Sequence, residues 1–244
     1  RDLHSFPTRR SSDLLLFAAA VLCVFYSIAL MISFVRNRTL EVKVRQAAQG
    51  IAGLPAVGGN LAPVDALQRL DALREVLVVL RKGPGLSYRW GLYTGDALYP
   101  DVRRAYFDGF RKLLFDQTQT NVLGVVRSTP NANDTYETLK SYLITTSHHD
   151  KSTREFLPPV LLKYWTLNRE VDEPRRQLAE KQFDFYSEEL RLANPYSDDN
   201  DGESIAKARR YLAQSNTFEP IYQAMLADAA RNRSEEHTSE LQSR

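Results

Sequence analysis

The feature that most constrains this chain is an uncharged apolar run between Leu14 and Val35. At the rise of an α-helix this run spans roughly 33 Å, enough to cross a bilayer core of about 30 Å. No small-residue cleavage site of a signal peptide follows it. The run therefore predicts a transmembrane helix over residues 15–35. A signal peptide and the buried helix of a soluble domain are the alternatives.

The two ends of the chain resemble translated sequencing adapters. His4–Leu14 reads HSFPTRRSSDL, and Arg233–Ser243 reads RSEEHTSELQS. Neither segment carries the periodicity of a helix or a strand, and segments of this origin do not belong in fold reasoning. We therefore expect residues 1–14 and 233–244 to be artefacts, and residues 15–232 to be a genuine segment of a longer chain. Two disordered tails are the alternative.

Charge and cysteine content exclude several classes of protein. Lys and Arg number 32 against 30 Asp and Glu, so the formal net charge is +2. This balance lacks the electrostatic signature of nucleic-acid binding. The single cysteine, Cys23, allows neither an intrachain disulfide nor a cysteine-based zinc or redox site.

The flank that follows the apolar run is basic, with Arg36, Arg38, Lys43 and Arg45 in close succession. The positive-inside rule would place this flank in the cytoplasm. That rule compares both flanks of a span, and the upstream flank falls in the adapter-like segment. Charge alone therefore leaves the orientation open.

Downstream of the run, apolar residues recur at helical spacing, and no segment shows convincing period-two alternation. The sequence therefore predicts an all-α protein. It has a transmembrane helix, a helical extension with a Gly/Pro-rich linker over residues 36–63, and a helical bundle-like domain over residues 64–232. Prolines, caps and one leucine-rich face mark the expected helices. An apolar face runs from Val64 to Leu80, and a helix break is expected at residues 81–85. First-turn prolines are expected at Pro100, at Pro158 and Pro159, and at Pro174, and helix caps at Asp134, three residues before Glu137, and at Asp201. Two short helices are expected near residues 203–214 and 218–230.

The segment GLYTGD, residues 91–96, is a candidate phosphate-binding loop. Its glycines lie four residues apart, no lysine follows them, and no strand is predicted before them, so neither nucleotide-binding fingerprint is met. We instead predict a turn in which Gly91 and Gly95 adopt positive φ. Asp96 would then accept backbone hydrogen bonds at the start of the next helix.

Three polar clusters fail as catalytic or metal sites. His148 and His149 are adjacent, so their rings point apart, and we expect them in a solvated loop after a helix. A calcium loop over residues 197–208 would lack its first aspartate and its final glutamate, which leaves only a weak cation site open. Glu188 and Glu189 are consecutive and are predicted to be solvated. We predict no catalytic, cofactor-binding or metal-binding residue.

Two sets of basic residues, a pair of lysines and a group of three arginines, are predicted to have structural roles. Lys140 and Lys163 stand among aromatic residues, and their stems are expected to cover the rings. Arg103, Arg104 and Arg111 form charged ridges. These ridges are candidates for subunit contacts, with a solvated face as the alternative.

The order and spacing of three blocks resemble the IcmF/TssM family of type VI secretion, in the region just after that family's last transmembrane helix. The blocks are GLYTG, a Y-x-x-x-F-x-x-L-L helix, and YETLKSYL with a later tryptophan. The family often carries a proline after the paired leucines, where this chain has Phe115 and Asp116. The matching residues, interpreted as structural, are Gly91, Leu92, Tyr93, Gly95, Tyr106, Phe110, Leu113, Leu114, Tyr136, Leu139, Lys140, Tyr142, Leu143 and Trp165.

The resemblance implies a non-enzymatic scaffold subunit in the bacterial inner membrane, with a periplasmic domain after the span. The partners implied are a TssL-like inner-membrane protein, further copies of the chain, the lipid bilayer and, through more C-terminal parts of the family, a TssJ-like lipoprotein. No nucleic acid and no cofactor is implied for this segment. A single-span sensor, or an envelope enzyme with a pocket converging on His148 and Asp150, is the alternative.

Overall fold

The computed structural model describes residues 8–54, 57, 60–83, 85, 93–167, 169–215, 225, 226 and 228. Within these ranges the chain is helical and contains no β-strand, which confirms the predicted all-α class. The helices are α1 (Thr8–Ala52), α2 (Val64–Arg81), α3 (Gly95–Phe110), a π-helical turn (Arg111–Phe115), α4 (Asp116–Ser128), α5 (Ala132–Thr146), a 3-10 turn (His149–Lys151), α6 (Leu157–Thr166), α7 (Glu173–Leu192) and α8 (Gly202–Gln214).

α1 continues from the apolar run into the charged extension and ends at Ala52, two residues beyond the predicted end near Gly50. It begins at Thr8, inside the segment interpreted as an adapter, because a helix nucleated in the apolar run adds further residues easily. Residues 14–28 are all exposed. By length and composition, α1 can cross a membrane.

One stripe of α1 is buried against the rest of the protein. Its positions recur at helical spacing, which is the pattern of a helix with one packed face. They are Ala29, Ser33, Asn37, Leu40, Val44 and Ile51. The Asn37 side chain also accepts a hydrogen bond from the Thr94 backbone N–H at 3.4 Å. The charged extension of α1 is therefore part of the folded domain rather than a free stalk.

α1, α2, α3 and α7 pack around the larger of two hydrophobic clusters. The predicted leucine face of α2 is buried from Leu67 to Leu80, with at most 4% exposure. α2 ends at Arg81, and Gly83 follows with φ of 75°, a conformation that favours glycine. The predicted break is thus confirmed.

A glycine sets the closest approach between three of these helices. A Cβ atom built on Gly109 of α3 would lie 2.7 Å from Cγ2 of Ile51 on α1 and 3.2 Å from Cδ1 of Leu70 on α2. Real Cβ atoms do not come that close to a neighbouring side chain. Any larger residue here would force the Ile51 side chain, or the helix that carries it, to shift.

The chain stays helical from Gly95 to Ser128, because the π-helical turn joins α3 to α4 without a break. Pro100 lies in the interior of α3, not in its first turn as predicted, since α3 already begins five residues earlier. Phe115 and Asp116 allow the helix to continue where a proline would interrupt its hydrogen bonds.

A second, smaller cluster joins α4, α5, α6 and α8. α6 faces both clusters, since Trp165 packs in the larger and Tyr164 in the smaller. The buried members of the smaller cluster are Val122, Val126, Leu139, Tyr142, Val160, Tyr164, Ile205 and Ala208. The domain is therefore built as two adjoining cores that share α6 and the long α3–α4 helix.

Helix caps agree with the sequence in part. Asn131, not Asp134, caps α5, because its extended backbone precedes the helix and its side chain accepts the Asp134 N–H at 2.8 Å. Asp201 caps α8 as predicted, accepting the Ser204 N–H at 3.0 Å. α6 and α7 begin at their prolines as expected. Most of the helix predicted over 218–230 lies outside the described residues.

Candidate functional site

A buried carboxylate joins three helices of the larger cluster. Glu189 on α7 is only 1% exposed. Its Oε1 accepts a hydrogen bond from Arg81 Nη1 on α2 at 2.8 Å, and its Oε2 accepts one from Arg103 Nε on α3 at 3.0 Å. Arg103 also donates to the Ala193 carbonyl at 2.8 Å. One side chain therefore fixes α2, α3 and the end of α7 relative to each other.

The predicted solvated position of Glu189 is wrong, whereas the same prediction holds for Glu188, which is 46% exposed. Consecutive helix positions differ by about 100° in direction, so one can point inward while the other points to solvent. Arg81 spans the two, because it also donates to Glu188 at 3.3 Å. Two arginines around one buried carboxylate compensate its desolvation.

A second buried chain of hydrogen bonds crosses the same three helices. Tyr106 on α3 donates to Gln182 Oε1 on α7 at 3.0 Å, and Gln182 Nε2 donates to Asp71 on α2 at 2.9 Å. Arg74 pairs with the same carboxylate at 2.7 Å. Burial raises the pKa of Tyr106 well above its ordinary value, which keeps the phenol protonated as a donor.

The two layers form what we call the polar brace, comprising Asp71, Arg74, Arg81, Arg103, Tyr106, Gln182 and Glu189. Gln182 and Glu189 are seven residues apart on α7, about 10 Å along its axis. Each charged group in the brace has a partner inside the brace. The arrangement therefore fits the holding of these helices in register.

Sequence reasoning missed the brace, although one signal for it exists. On α7 the apolar positions Phe183, Tyr186 and Leu190 define the buried face. Helical spacing places Gln182 and Glu189 on that same side. A polar residue on an apolar stripe indicates a buried partner. The local sequence does not identify that partner, because Arg81 is 108 residues away from Glu189.

The three arginines predicted to form charged ridges, Arg103, Arg104 and Arg111, differ in their exposure to solvent. Arg103 donates to Glu189 within the brace and stacks over the Phe107 ring at 4.8 Å, so its guanidinium is directed into the fold rather than along a solvated ridge. Arg104 is 74% exposed beside Asp101, and Arg111 is 59% exposed. Those two cations remain on the surface.

The residues of the first family block lie only partly within the described residues, since Gly91 and Leu92 fall outside them. Tyr93 is half-buried against the larger cluster. Gly95 is buried at the start of α3, and its φ is not positive, contrary to prediction. A Cβ there would clash with the hydroxyl end of the Tyr93 ring, so the glycine allows a close approach instead. Asp96 lies inside α3, and Thr94, the N-cap residue of that helix, makes no side-chain capping hydrogen bond.

The later family residues are packing residues of the two cores. In the larger cluster Tyr106, Leu113, Leu114 and Trp165 are at most 1% exposed. In the smaller cluster Leu139 and Tyr142 are buried and Leu143 packs against them, whereas Tyr136 is half-buried. The Tyr142 hydroxyl accepts the Asp201 N–H at 2.9 Å, which ties α5 to the start of α8.

Lys140 and Lys163 contact aromatic rings through their ammonium groups. Lys140 Nζ lies 3.7 Å from the centroid of Phe156, a ring that the sequence prediction did not include. Lys163 Nζ lies 5.1 Å from the Tyr164 ring and also pairs with Asp134. Both contacts have the geometry of cation–π interactions.

His149 is not a solvated loop residue, because its side chain is only 20% exposed and both ring nitrogens have partners. Nδ1 lies 2.9 Å from the Ile144 carbonyl at the end of α5, and Nε2 lies 2.9 Å from Asp198. The ring thus links the last turn of α5 to the loop before α8. His148 instead lines a cleft of about 300 Å³ that does not include Asp150.

The acidic segment before α8 uses its carboxylates within the fold. A hydrogen bond from Arg127, with those from Ser204, lowers the pKa of Asp201 to about 2. Asp198 is held by Asn194 and by His149. Among the described residues, no group of three His, Cys, Asp or Glu side chains has the arrangement of a metal site.

The sequence model of the family described as IcmF-related: Intracellular multiplication and human macrophage-killing matches residues 67–242. No curated protein and no solved structure gives a significant match. The matched range contains the whole polar brace, the smaller hydrophobic cluster, and the larger cluster from Leu67 onward.

Proposed function

Because this chain belongs to the IcmF-related family, we propose that it is a structural subunit of the membrane complex of a type VI secretion system, without a catalytic role in this segment. The family match is the main support for this proposal, and the apolar helix that precedes the matched range is the second. In this proposal α1 anchors the chain in the inner membrane. The helical domain lies on the periplasmic side, as the family resemblance implies.

The buried stripe of α1 supports a mechanical role for this anchor. Leu40 and Val44 pack in the larger cluster, and Asn37 bonds to the start of α3. The helix that leaves the membrane is thus continuous with the core of the domain. Such a connection transmits position and force between the bilayer and the domain, which a flexible linker would not do.

The use of the polar residues supports a structural rather than a chemical role. The brace residues satisfy each other across three helices, and the family-pattern residues fill the two cores. Binding to other subunits would then use the outer surface. We propose further copies of the chain and a TssL-like inner-membrane protein as direct partners, with a TssJ-like lipoprotein reached through other parts of the full protein.

The placement of α1 can be tested with its natural cysteine. Cys23 lies within the apolar run and is exposed on the protein. We expect a membrane-impermeant maleimide to leave Cys23 unlabelled in intact membranes and to label it after denaturation, because the bilayer shields it. In a Cys23→Ser background, Gly124→Cys on the exposed side of α4 should be labelled from the periplasmic side.

Two outcomes of this labelling would contradict the placement. Ready labelling of Cys23 in intact membranes would show that the run does not lie in the bilayer. Labelling of Gly124→Cys only from the cytoplasmic side would reverse the proposed orientation.

The scaffold role itself is tested by assembly. Membranes from cells that carry the secretion genes are solubilised in a mild detergent, and the complex is sized by native electrophoresis and chemical cross-linking. We expect the chain to migrate in a complex far larger than a monomer and to cross-link to other copies and to an inner-membrane partner. A chain that stays monomeric and joins no other subunit would refute the proposal.

A further inference from the structure

We propose that the basic turns of α1 just beyond the apolar run bind the headgroups of anionic phospholipids. We call these turns the basic collar, defined by Arg36, Arg38, Lys43 and Arg45. Within them Glu41 is the single acidic residue, so four cations face one anion. The inference rests on the proposed insertion of α1 and adds a ligand class, an anionic lipid surface, to it.

The position of the basic collar along α1 matches the headgroup layer. Arg36 and Arg38 begin within about 5 Å of the last apolar residue, and Lys43 and Arg45 stand about 12 to 15 Å beyond it. The headgroup region is roughly 5 to 8 Å thick on each side of the hydrocarbon core. The first two arginines therefore lie within that layer.

The more distant pair can reach the same layer because of the direction of helix side chains. Cα–Cβ bonds in a helix tilt toward its N-terminus, which in α1 is the end with the apolar run. Arg45 shows this direction, since its Nη2 reaches back to Glu41 at 3.1 Å. Long basic side chains extend several ångströms further by snorkelling toward an interface.

The packing of the domain leaves the collar open to a lipid surface. The buried stripe runs through Leu40 and Val44. Arg38 and Arg45 lie on the opposite side of α1, and Arg36 and Lys43 lie at the edge of the stripe. Arg38 and Arg45 are 59% and 64% exposed. Arg36 and Lys43 are also exposed, and their seven-residue spacing places them on one face of the helix.

Charge and continuity favour lipid over an acidic protein partner. The collar directly follows an exposed apolar surface, so any membrane that accepts α1 brings its headgroups to these residues. The pairs of Arg38 and Arg45 with Glu41 are exposed, and such ion pairs contribute little. Phosphate oxygens can therefore replace Glu41 at the guanidinium groups, which bind phosphate in bidentate geometry.

The test measures lipid selectivity of the full chain in membranes. The chain is reconstituted into vesicles of equal parts phosphatidylcholine and phosphatidylglycerol, and the motionally restricted fraction of each spin-labelled lipid is measured by electron paramagnetic resonance. About 1 kcal/mol of attraction between the collar and anionic headgroups corresponds to about a five-fold preference. We expect the wild type to prefer phosphatidylglycerol by about five-fold or more, and high salt to reduce this preference.

Two double variants of equal charge change separate the collar from general basicity. Arg36→Gln/Lys43→Gln should lower the preference by about two-fold, because it removes two of the four charges of the collar while glutamine keeps the helix. Arg209→Gln/Arg210→Gln, on the exposed side of α8, should leave the preference unchanged. Equal loss in both variants would overturn the proposal, as would a preference that Arg36→Gln/Lys43→Gln does not alter.

Carbonate extraction from vesicles of pure phosphatidylcholine distinguishes this inference from the insertion of α1. A chain that resists extraction but shows no preference for phosphatidylglycerol retains the membrane span and refutes the lipid site. A chain that carbonate removes refutes the span and, with it, the collar.

Discussion

Replacement of Glu189 by alanine is expected to lower the free energy of unfolding by about 3 to 5 kcal/mol, the range for removing one partner of a buried ion pair. Arg81 and Arg103 would both lose their shared carboxylate while remaining 32% and 22% exposed. For a domain of this size the midpoint of thermal unfolding should fall by roughly 10 °C. The measurement is circular dichroism of the full chain in detergent, followed against temperature.

The neighbouring glutamate provides the matched control. Glu188→Ala removes the same charge from the same helix, but its side chain is 46% exposed, so its cost should stay below about 1 kcal/mol. Glu189→Gln keeps the shape and loses the charge, and should fall between the two. Equal stability of Glu188→Ala and Glu189→Ala would show that the brace does not hold the three helices.

Replacement of Trp165 by alanine should have a comparable or larger effect, because the side chain is fully buried at the point where α6 meets the larger cluster. Truncation of a buried aromatic residue costs about 3 to 5 kcal/mol through lost burial and the cavity left behind. We expect α6 to loosen from α7 and the near-ultraviolet circular dichroism to weaken.

Trp165→Phe separates volume from hydrogen bonding. Among the described residues the indole Nε1 of Trp165 has no hydrogen-bond partner, so phenylalanine should cost much less than alanine. Leu192→Ala, at a side chain that is 70% exposed, should change stability little. A phenylalanine variant as unstable as the alanine variant would indicate a polar partner for the indole and would contradict a role in packing alone.

The sequence pattern predicts the burial of Trp165 but not the burial of Glu189. The tryptophan closes the family pattern YETLKSYL and stands in an apolar helix, so its burial follows from local spacing. The burial of Glu189 cannot be inferred from local spacing, because Glu188 beside it is the same residue type. The two arginines that bind Glu189 lie 86 and 108 residues away in sequence. The prediction of a solvated His149 fails for the same reason. Its partner Asp198 lies 49 residues away in sequence.

Errors in the predicted helix starts have a local origin. Asn131 and Asp134 are both good capping residues, and only the backbone conformation decides that the first one caps α5. Pro100 was expected at a helix start, but α3 tolerates it in its interior. Gly95 was expected to supply positive φ, whereas it gives room to the Tyr93 ring.

By itself the sequence determined the all-α class, the apolar helix that fits a membrane protein, the leucine face of α2 and the family. These properties depend on residues within a few turns of one another, so local spacing and composition are sufficient to encode them. Only the tertiary structure decided which polar residues are buried, that α1 is packed into the core, and that three helices share one carboxylate. Those properties arise when distant segments exclude water together, and burial then makes each charge depend on a partner that no local pattern specifies.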